Sequence, residues 1–427
     1  MHVARLSLTD FRNYRSAELT FEPGATVIVG RNGQGKTNLV EAIGYLATLG
    51  SHRVAGDQAL IRAGADAAIV RALLSSAGRE VLLELQLNRH GANKAQVNRG
   101  AAKPRDLPRY AHSVLFAPED LAIVRGEPSV RRRMLDGLLV QRVPRLAGVM
   151  ADYDRVLKQR NSLLKSARAR GLAASQLTTL DIWDERLVEL GAELIDRRSE
   201  LVSELRDPLA AAYRAIVDDD HRPELQPVLS IDGADPDDDP TDAAAATGDG
   251  GTAVEPGADR AHTAERFAAA LAALRRKELE RGVTLAGPHR DDVLLLLNGL
   301  PAKGYASHGE SWSFALALRL AAAELLRRDS STGDPVLVLD DVFAELDRLR
   351  RERLAAAVGG YEQVLITAAV LEDVPEPLSH RVIRIAAGEV VEAPGSPEQP
   401  EHEPAAGAAT SVIAAAAGRM PSEAPGV

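Results

Sequence analysis

The sequence contains no cysteine, which excludes disulfides and thiolate metal sites and favours an intracellular protein. It has no apolar run of the roughly 18–20 residues that crossing a bilayer requires. Its first residues, MHVARLSLTDF, alternate like a strand and lack the apolar stretch of a signal peptide. A cytoplasmic protein without a membrane partner is expected. No internal repeat is present. Nor is there a basic excess: the formal net charge is −10, which by itself argues against nucleic acid. The distribution of that charge matters more. Residues 232–262 hold nine acids and one arginine, and residues 392–427 hold five acids and one arginine. These two stretches account for −8 and −4 and leave the rest of the chain at +2. A nearly balanced body with arginine clusters permits a basic surface facing DNA.

The chain is 427 residues long and 45% hydrophobic, enough for two or more packed domains. Residues 232–262 and the tail 393–427 are rich in Asp, Pro, Gly and Ala, bury nothing and read as unfolded. Three zones remain. The first mixes short β-rich runs with one helix, TNLVEAIGYLATL at 37–49. The second is mostly helical, with apolar residues three and four apart through 180–216. In the third, strands such as DVLLLLNG, PVLVLDD and QVLITAA alternate with helices and end in a hairpin around RVIRIAAGEVVE. An α/β fold follows, with a parallel or mixed sheet covered on its faces and interrupted by an inserted helical lobe.

Between the strand TVIVG and the first helix lies GRNGQGKT, the G-x-x-x-x-G-K-[ST] pattern of a P-loop. Gly30, Arg31, Asn32, Gly33, Gln34 and Gly35 supply a backbone that wraps phosphate oxygens at a helix N-terminus. Lys36 reaches the β- and γ-phosphates of ATP, and the Thr37 hydroxyl ligates Mg2+. The strand PVLVLDD ends in Asp340 and Asp341 at the carboxyl edge of the sheet. There Asp340 is a second Mg2+ ligand and Asp341 a general base for the attacking water. Solvated acids capping a helix are the plainer alternative. About 300 residues separate the two halves of this site, so the helical zone is an insertion between them. The expected domains are 1–129 and 283–392 as two halves of an ATPase lobe, 130–282 as the inserted lobe, and 393–427 as a disordered tail. Further along, SHGESW opens a helix at 307–312, and Ser307 with Glu310 has capping-box spacing.

This order of P-loop, insertion, Ser-x-Gly at a helix start and two-acid strand followed by ELD resembles the head of an ABC-type ATPase. Within that class the chain is similar to the RecF family of bacterial DNA replication and repair proteins. The similarity rests on LTDFRNY (8–14), GRNGQGKTNLVEAI (30–43), SHR (51–53), PEDLAIVRGEPSVRRRMLD (118–136), AGPHRDD (286–292) and LDDVFAELDRLRRERL (339–354). The resemblance implies an ATP-dependent homodimer that binds double-stranded DNA at single-strand gap junctions and works with RecR and RecO to load RecA. It also implies that ATP is sandwiched between the P-loop of one subunit and the helix start at Ser307 and Gly309 of the other. By the same resemblance Asp347 packs across the dimer, Thr367 holds the switch position, and Arg12 reaches phosphate. The family usually has glutamine where this chain has Glu310, a carboxylate unfavourable near triphosphate unless it turns away. Arginine clusters at 131–133, 142–145, 155–170, 197–198 and 275–277 are the expected DNA contacts, or else partners of acids on solvated helices. Slow, DNA-stimulated hydrolysis is expected. An ATP-binding dimerisation module with negligible turnover and a transporter-type ABC ATPase are the alternatives.

Overall fold

The structure, a computed structural model, describes residues 1–392 except 55, 172–177, 218–220, 234–259 and 331. The acidic stretch therefore lies outside the described residues from 234 to 259, and so does the tail. The last residues of that stretch, 260–262, instead open a helix.

Two six-stranded sheets form the head. The first is antiparallel, with β1 (His2–Phe11), β2 (Tyr14–Thr20), β4 (Ala67–Ser76), β5 (Arg79–Asn88), β6 (Lys94–Val97) and β7 (Gly100–Ala102) in the order β2-β1-β4-β5-β6-β7. The second contains β3 (Gly24–Val29), β8 (Ser113–Phe116), β12 (Val336–Asp340), β13 (Gln363–Ala368), β14 (Val382–Ala386) and β15 (Glu389–Glu392) in the order β15-β14-β3-β13-β12-β8. All neighbours in it are parallel except the closing hairpin β14–β15.

Alternation along the parallel strands explains why they read as continuous apolar runs. Ile28, Val336, Val338 and Leu365 face helix α1 (Lys36–Thr48) and the antiparallel sheet. Val27, Val29, Leu337, Leu339, Val364 and Ile366 face the opposite side, against the long helices. Helix α1 is thus buried between two sheets, and Leu39, Val40, Ile43 and Leu46 join them in one core.

The helices α2 (Leu121–Arg125), α3 (Pro128–Arg142), α4 (Leu146–Ala169), α5 (Thr178–Ile216) and α6 (Arg260–Arg281) lie in the chain between β8 and its sheet neighbour β12. They divide between two cores. Leu201, Leu205, Leu209 and Tyr213 of α5 pack with α3 and with α7 (His308–Asp329) against the parallel sheet. Leu187, Leu190 and Leu194 of the same helix pack with Tyr153 and Val156 of α4 and Phe267 and Leu271 of α6. Helix α5, 39 residues long, is therefore the strut joining head and helical bundle.

One strand departs from the expected alternation. DVLLLLNG forms β10 (Asp292–Leu297), but it lies in a separate antiparallel sheet between β9 (Pro223–Val228) and β11 (Leu300–Pro301). Its register with β9 runs from Asp292 opposite Val228 to Leu297 opposite Pro223. β9 itself sits in a stretch read as helical, where its two prolines and short length hide a strand.

Charge partners hold the bundle. Arg160 is completely buried and donates to Asp184 at 2.6 Å, Thr284 at 2.7 Å and Glu278 at 2.6 Å. Arg198 makes a two-pronged pair with Asp136 at 2.8 Å, and Arg131 pairs with Asp292 at 2.6 and 2.7 Å. Replacing Arg160 with alanine strands the buried Glu278 and leaves the part-buried Asp184 with Arg275 alone, and we expect a loss of about 3–5 kcal/mol in urea unfolding. A loss below about 1 kcal/mol would show that water reaches this network.

Candidate nucleotide-binding site

The loop 30–35 leaves β3 and enters α1 with Gly33 and Gly35 at positive φ, +81° and +112°. Gly35 has no room for a side chain, since a Cβ there would lie 2.7 Å from the side-chain amide of Asn13 and from the Tyr14 hydroxyl. The loop is braced from two sides. Asn13, in the β1–β2 turn, donates to the Gln34 carbonyl at 3.1 Å and accepts from Asn38 at 2.7 Å. On the other side, the β14–β15 turn donates the Gly388 N–H to the same carbonyl at 3.1 Å and the Ala387 N–H to the Gln34 side chain. The motif LTDFRNY is thus the floor of the phosphate loop.

Strand order brings the distant halves together. β13 lies between β3 and β12, so the loop and the end of β12 are about 10 Å apart in the sheet. The Thr37 hydroxyl closes the gap by donating to Asp340 Oδ1 at 3.0 Å. Thr367, at the end of β13, donates to the same oxygen, and its hydroxyl accepts the Asp341 N–H at 2.9 Å. Lys36 is 3% exposed, with Nζ 3.3 Å from Asn32 Oδ1 and 3.8 Å from Asp341 Oδ1. Asp341 adopts a left-handed backbone, φ 52°, unusual for a residue with a side chain. The Asp341 N–H, donated to the Thr367 hydroxyl and carbonyl, fixes it there, and the turn brings its carboxylate towards Lys36.

Asp340 is buried, and that burial raises its pKa to about 6. Hydrogen bonds from Thr367 and Thr37 oppose the rise, whereas the charges of Asp341 and Glu119 add to it. Glu119, in the turn after β8, is a carboxylate at this site that sequence reasoning did not find. A divalent cation fits the donor set. Thr37 and Asp340 offer two oxygens side by side, the number at which Mg2+ keeps most of its shell for phosphate and water. Among the described residues no cluster of three His, Asp or Glu is placed to hold a metal alone.

Arg12 lies beside α1. It forms a two-pronged pair with Glu41 at 2.8 and 2.6 Å and also donates to the Ala59 carbonyl at 3.0 Å. Burial pushes Glu41 up, but hydrogen bonds from Arg12 and Ser51 and the Arg12 charge outweigh it and keep the carboxyl below its usual value. Arg53 reaches Asn38 at 2.9 Å, so SHR and Arg12 together anchor the outer face of α1. Arg31 and Asn32 are exposed on the loop.

The Ser307 helix start is elsewhere. Among the described residues no hydrogen bond or ion pair joins 307–310 to 30–37, Asp340 or Asp341. Ser307 caps α7 in a capping box: its hydroxyl accepts from the Glu310 N–H at 3.2 Å, and Glu310 Oε2 accepts from the Ser307 N–H at 2.7 Å. These bonds from Ser307 hold the Glu310 carboxyl below its usual pKa. Arg350 covers the same helix end, with Nη1 2.8 Å from where a Cβ on Gly309 would stand. It belongs to α8 (Arg348–Val358), whose N-cap Asp347 accepts from the Arg350 N–H at 3.0 Å. Arg350 adds a cation that the motif LDRLRR conceals among other arginines.

Most of the expected DNA-facing arginines have carboxylate partners, some inside the protein and some at its surface. Arg131, Arg142, Arg160 and Arg198 each pair with carboxylates, as do Arg145, Arg155, Arg197, Arg275 and Arg276 nearer the surface. Arginine runs on helices look alike whether they face acids or solvent.

The sign of the Asp340 shift generates a prediction. Its folded pKa is raised, so the ionised form destabilises the fold above about pH 6 and the penalty disappears as pH falls towards 4. Asp340→Asn is therefore expected to stabilise the protein by about 1–3 kcal/mol in urea at pH 7.5 with EDTA. The gain should shrink as pH falls below 6. A constant gain at all pH values would contradict the buried charge.

Residues 2–387 match the RecF/RecN/SMC N terminal domain family. The chain is 64% identical over 405 residues to the DNA replication and repair protein RecF of Clavibacter michiganensis, covering 94% of this chain and 99% of that protein. It is 52% identical over 396 residues to RecF of Frankia alni, covering 92% of this chain and 100% of that protein. Solved structures of the recombination mediator protein RecF in the RecFOR pathway, one with ATP and one with ATPrS, superpose with a TM-score of 0.78 at 28% identity. They cover 91% of this chain and 96% and 97% of those chains. With its mixed α/β head and phosphate loop, the chain belongs to the RecF family of DNA replication and repair proteins.

Proposed function

We propose that this chain is an ATP-dependent DNA-binding protein of recombinational repair and replication restart. In this reading it acts at single-strand gap junctions of double-stranded DNA and, with RecR and RecO, helps load RecA. The observation that carries the ATP part is the convergence of Lys36 and Thr37, at the start of α1, with Asp340 and Asp341, at the end of β12. The RecF relatives solved with ATP support it.

Thr37 and Asp340 would hold Mg2+, which would supply positive charge against the phosphates when bound. Lys36 neutralises the same oxygens from the loop side. The N–H groups of residues 30–35 cradle the phosphate chain, where aligned peptide dipoles favour negative charge. Asp341 orients the attacking water and takes its proton.

The Ser307 helix start has free N–H groups but does not meet the nucleotide site of its own chain, which supports a role in trans. In a homodimer, Ser307 and the Gly309 N–H of one subunit complete the site of the other, with Arg350 alongside. ATP then favours the dimer by mass action, and hydrolysis releases it. Glu310 is compatible with this because the capping box turns its carboxylate back onto the Ser307 N–H. The same carboxylate, close to an incoming triphosphate, also favours a second reading, in which ATP drives dimerisation with negligible turnover. Membership of the RecF family sets the transporter reading aside.

Light scattering with and without ATP tests the shared site. The mass of the wild type should double with ATP and that of Lys36→Ala should stay monomeric; an unchanged ATP-induced dimer in the variant would sink the model. Asp341→Asn should keep the ATP dimer and lower turnover about 10²–10⁴-fold if Asp341 is the base. Loss of both dimer and turnover would make Asp341 a metal ligand, and wild-type turnover at background would select the second reading.

A further inference from the structure

Many arginines of the helical bundle are paired to acids, although Lys158, Lys165 and Arg168 of α4 and Arg170 at its end are exposed without an ion pair among the described residues. A second such group stands on the far edge of the antiparallel sheet. Residues 94–110, KAQVNRGAAKPRDLPRY, contain five basic side chains and one carboxylate. Lys94, Arg99, Lys103, Arg105 and Arg109 are all exposed, and none has an ion-pair partner among the described residues. The one carboxylate, Asp106, is occupied locally, accepting the Lys103 N–H at 3.2 Å. Glu84, on the neighbouring strand, is taken by Arg71.

Topology makes these residues one surface. β6 and β7 form a hairpin with Ala95 opposite Ala102 and Val97 opposite Gly100. Ala95 is buried on the core side, so Lys94 and Gln96 face outward. Continuing the same register places Lys103 across from Lys94. Arg99 occupies the hairpin tip, and Arg105, Arg109 and Tyr110 follow on the 3-10 turn Pro104–Arg109 and its end. That turn packs on the hairpin and on α1, which carries the phosphate loop at its start. Tyr110 is 40% exposed.

Like charges opposite one another in a sheet are destabilising, and here no acid relieves them. Edge lysines do discourage strand-to-strand aggregation. That purpose accounts for Lys94 and Lys103 but not for the cations on the 3-10 turn or the exposed ring beside them. An external polyanion relieves all of them. Lys94 starts β6 and Arg99 lies in the turn beyond its end at Val97, about 10 Å along the strand, a span that covers more than one phosphate of a duplex. Gln96 and the Tyr110 hydroxyl add neutral donors of the sort that contact DNA backbone.

We propose that the β6–β7 hairpin and the following turn, through Lys94, Arg99, Lys103, Arg105 and Arg109, form the surface that grips the phosphate backbone of duplex DNA. This rests on the DNA-binding reading given above. It moves the principal contact from the helical bundle to the sheet edge of the head. Binding there is independent of sequence, because no donor pattern for base edges accompanies the charges.

The test is the salt dependence of binding to a fluorescent 30-base-pair duplex, with ATP present, by anisotropy. Lys94→Gln/Arg99→Gln/Lys103→Gln should flatten the slope of log affinity against log salt by about 2–3, at roughly 0.9 per lost phosphate contact. ATP-induced dimerisation and thermal stability of this variant should match wild type. Arg186→Gln/Arg276→Gln, on exposed and acid-paired residues of the bundle, should leave the slope unchanged. A single-stranded oligonucleotide of the same length serves as a second arm, and flattening confined to it would overturn the duplex assignment. An unchanged slope in the hairpin variant, with steep wild-type binding, overturns the surface and leaves the DNA-binding reading intact. It would point to an acidic protein as the occupant. Absence of salt-sensitive wild-type binding removes both.

Discussion

Asp340 ends a strand that is buried on both faces, so its carboxylate is ionised only at a cost. Two threonine hydroxyls, one from the helix after the phosphate loop and one from the strand between, share one of its oxygens. That bridge ties together three chain segments that lie about 300 and 30 residues apart in sequence. It also leaves the carboxylate partly uncompensated, which is what a cation site needs before the cation arrives. In the proposed function, stability lost there in the free protein would become affinity for metal and nucleotide.

The rest of the head positions this bridge. β3, β13 and β12 stand side by side because alternate residues of each satisfy two different cores. Helix α1 is held between the sheets by its apolar residues and at its outer face by Glu41, where Arg12, Ser51 and Arg53 converge. The loop cannot drift, since Asn13 and the β14–β15 turn grip Gln34 from opposite sides. Arg160 and its acids perform the corresponding task in the bundle, and α5 carries the two bodies of packing on one helix.

Much of this was legible in the sequence because its signals are local. GRNGQGKT and PVLVLDD carry their geometry within a few residues, and Ser307 and Glu310 form their box within one turn. Three things were not legible, for physical reasons. The pairing of Arg12 with Glu41 was one, because an arginine in a turn does not reveal which acid it meets. β9 and β10 pair across more than 60 residues, and no local pattern encodes such pairing. The arginine runs of the bundle were read as DNA contacts or as partners of acids, and ion pairing is decided by tertiary neighbours. The less conspicuous charges between 94 and 109 have no ion-pair partner among the described residues.

The central claim is that the nucleotide site is complete only when the Ser307 helix start of one chain meets the phosphate loop of another. Mixing two defective variants tests it most directly. Lys36→Ala and Ser307→Arg should each stay monomeric with ATP when measured alone by light scattering. Mixed in equal amounts they should form an ATP-dependent dimer, because one of its two sites then pairs an intact loop with an intact helix start. A mixture that remains monomeric, or a Ser307→Arg protein that dimerises normally alone, would contradict the shared site.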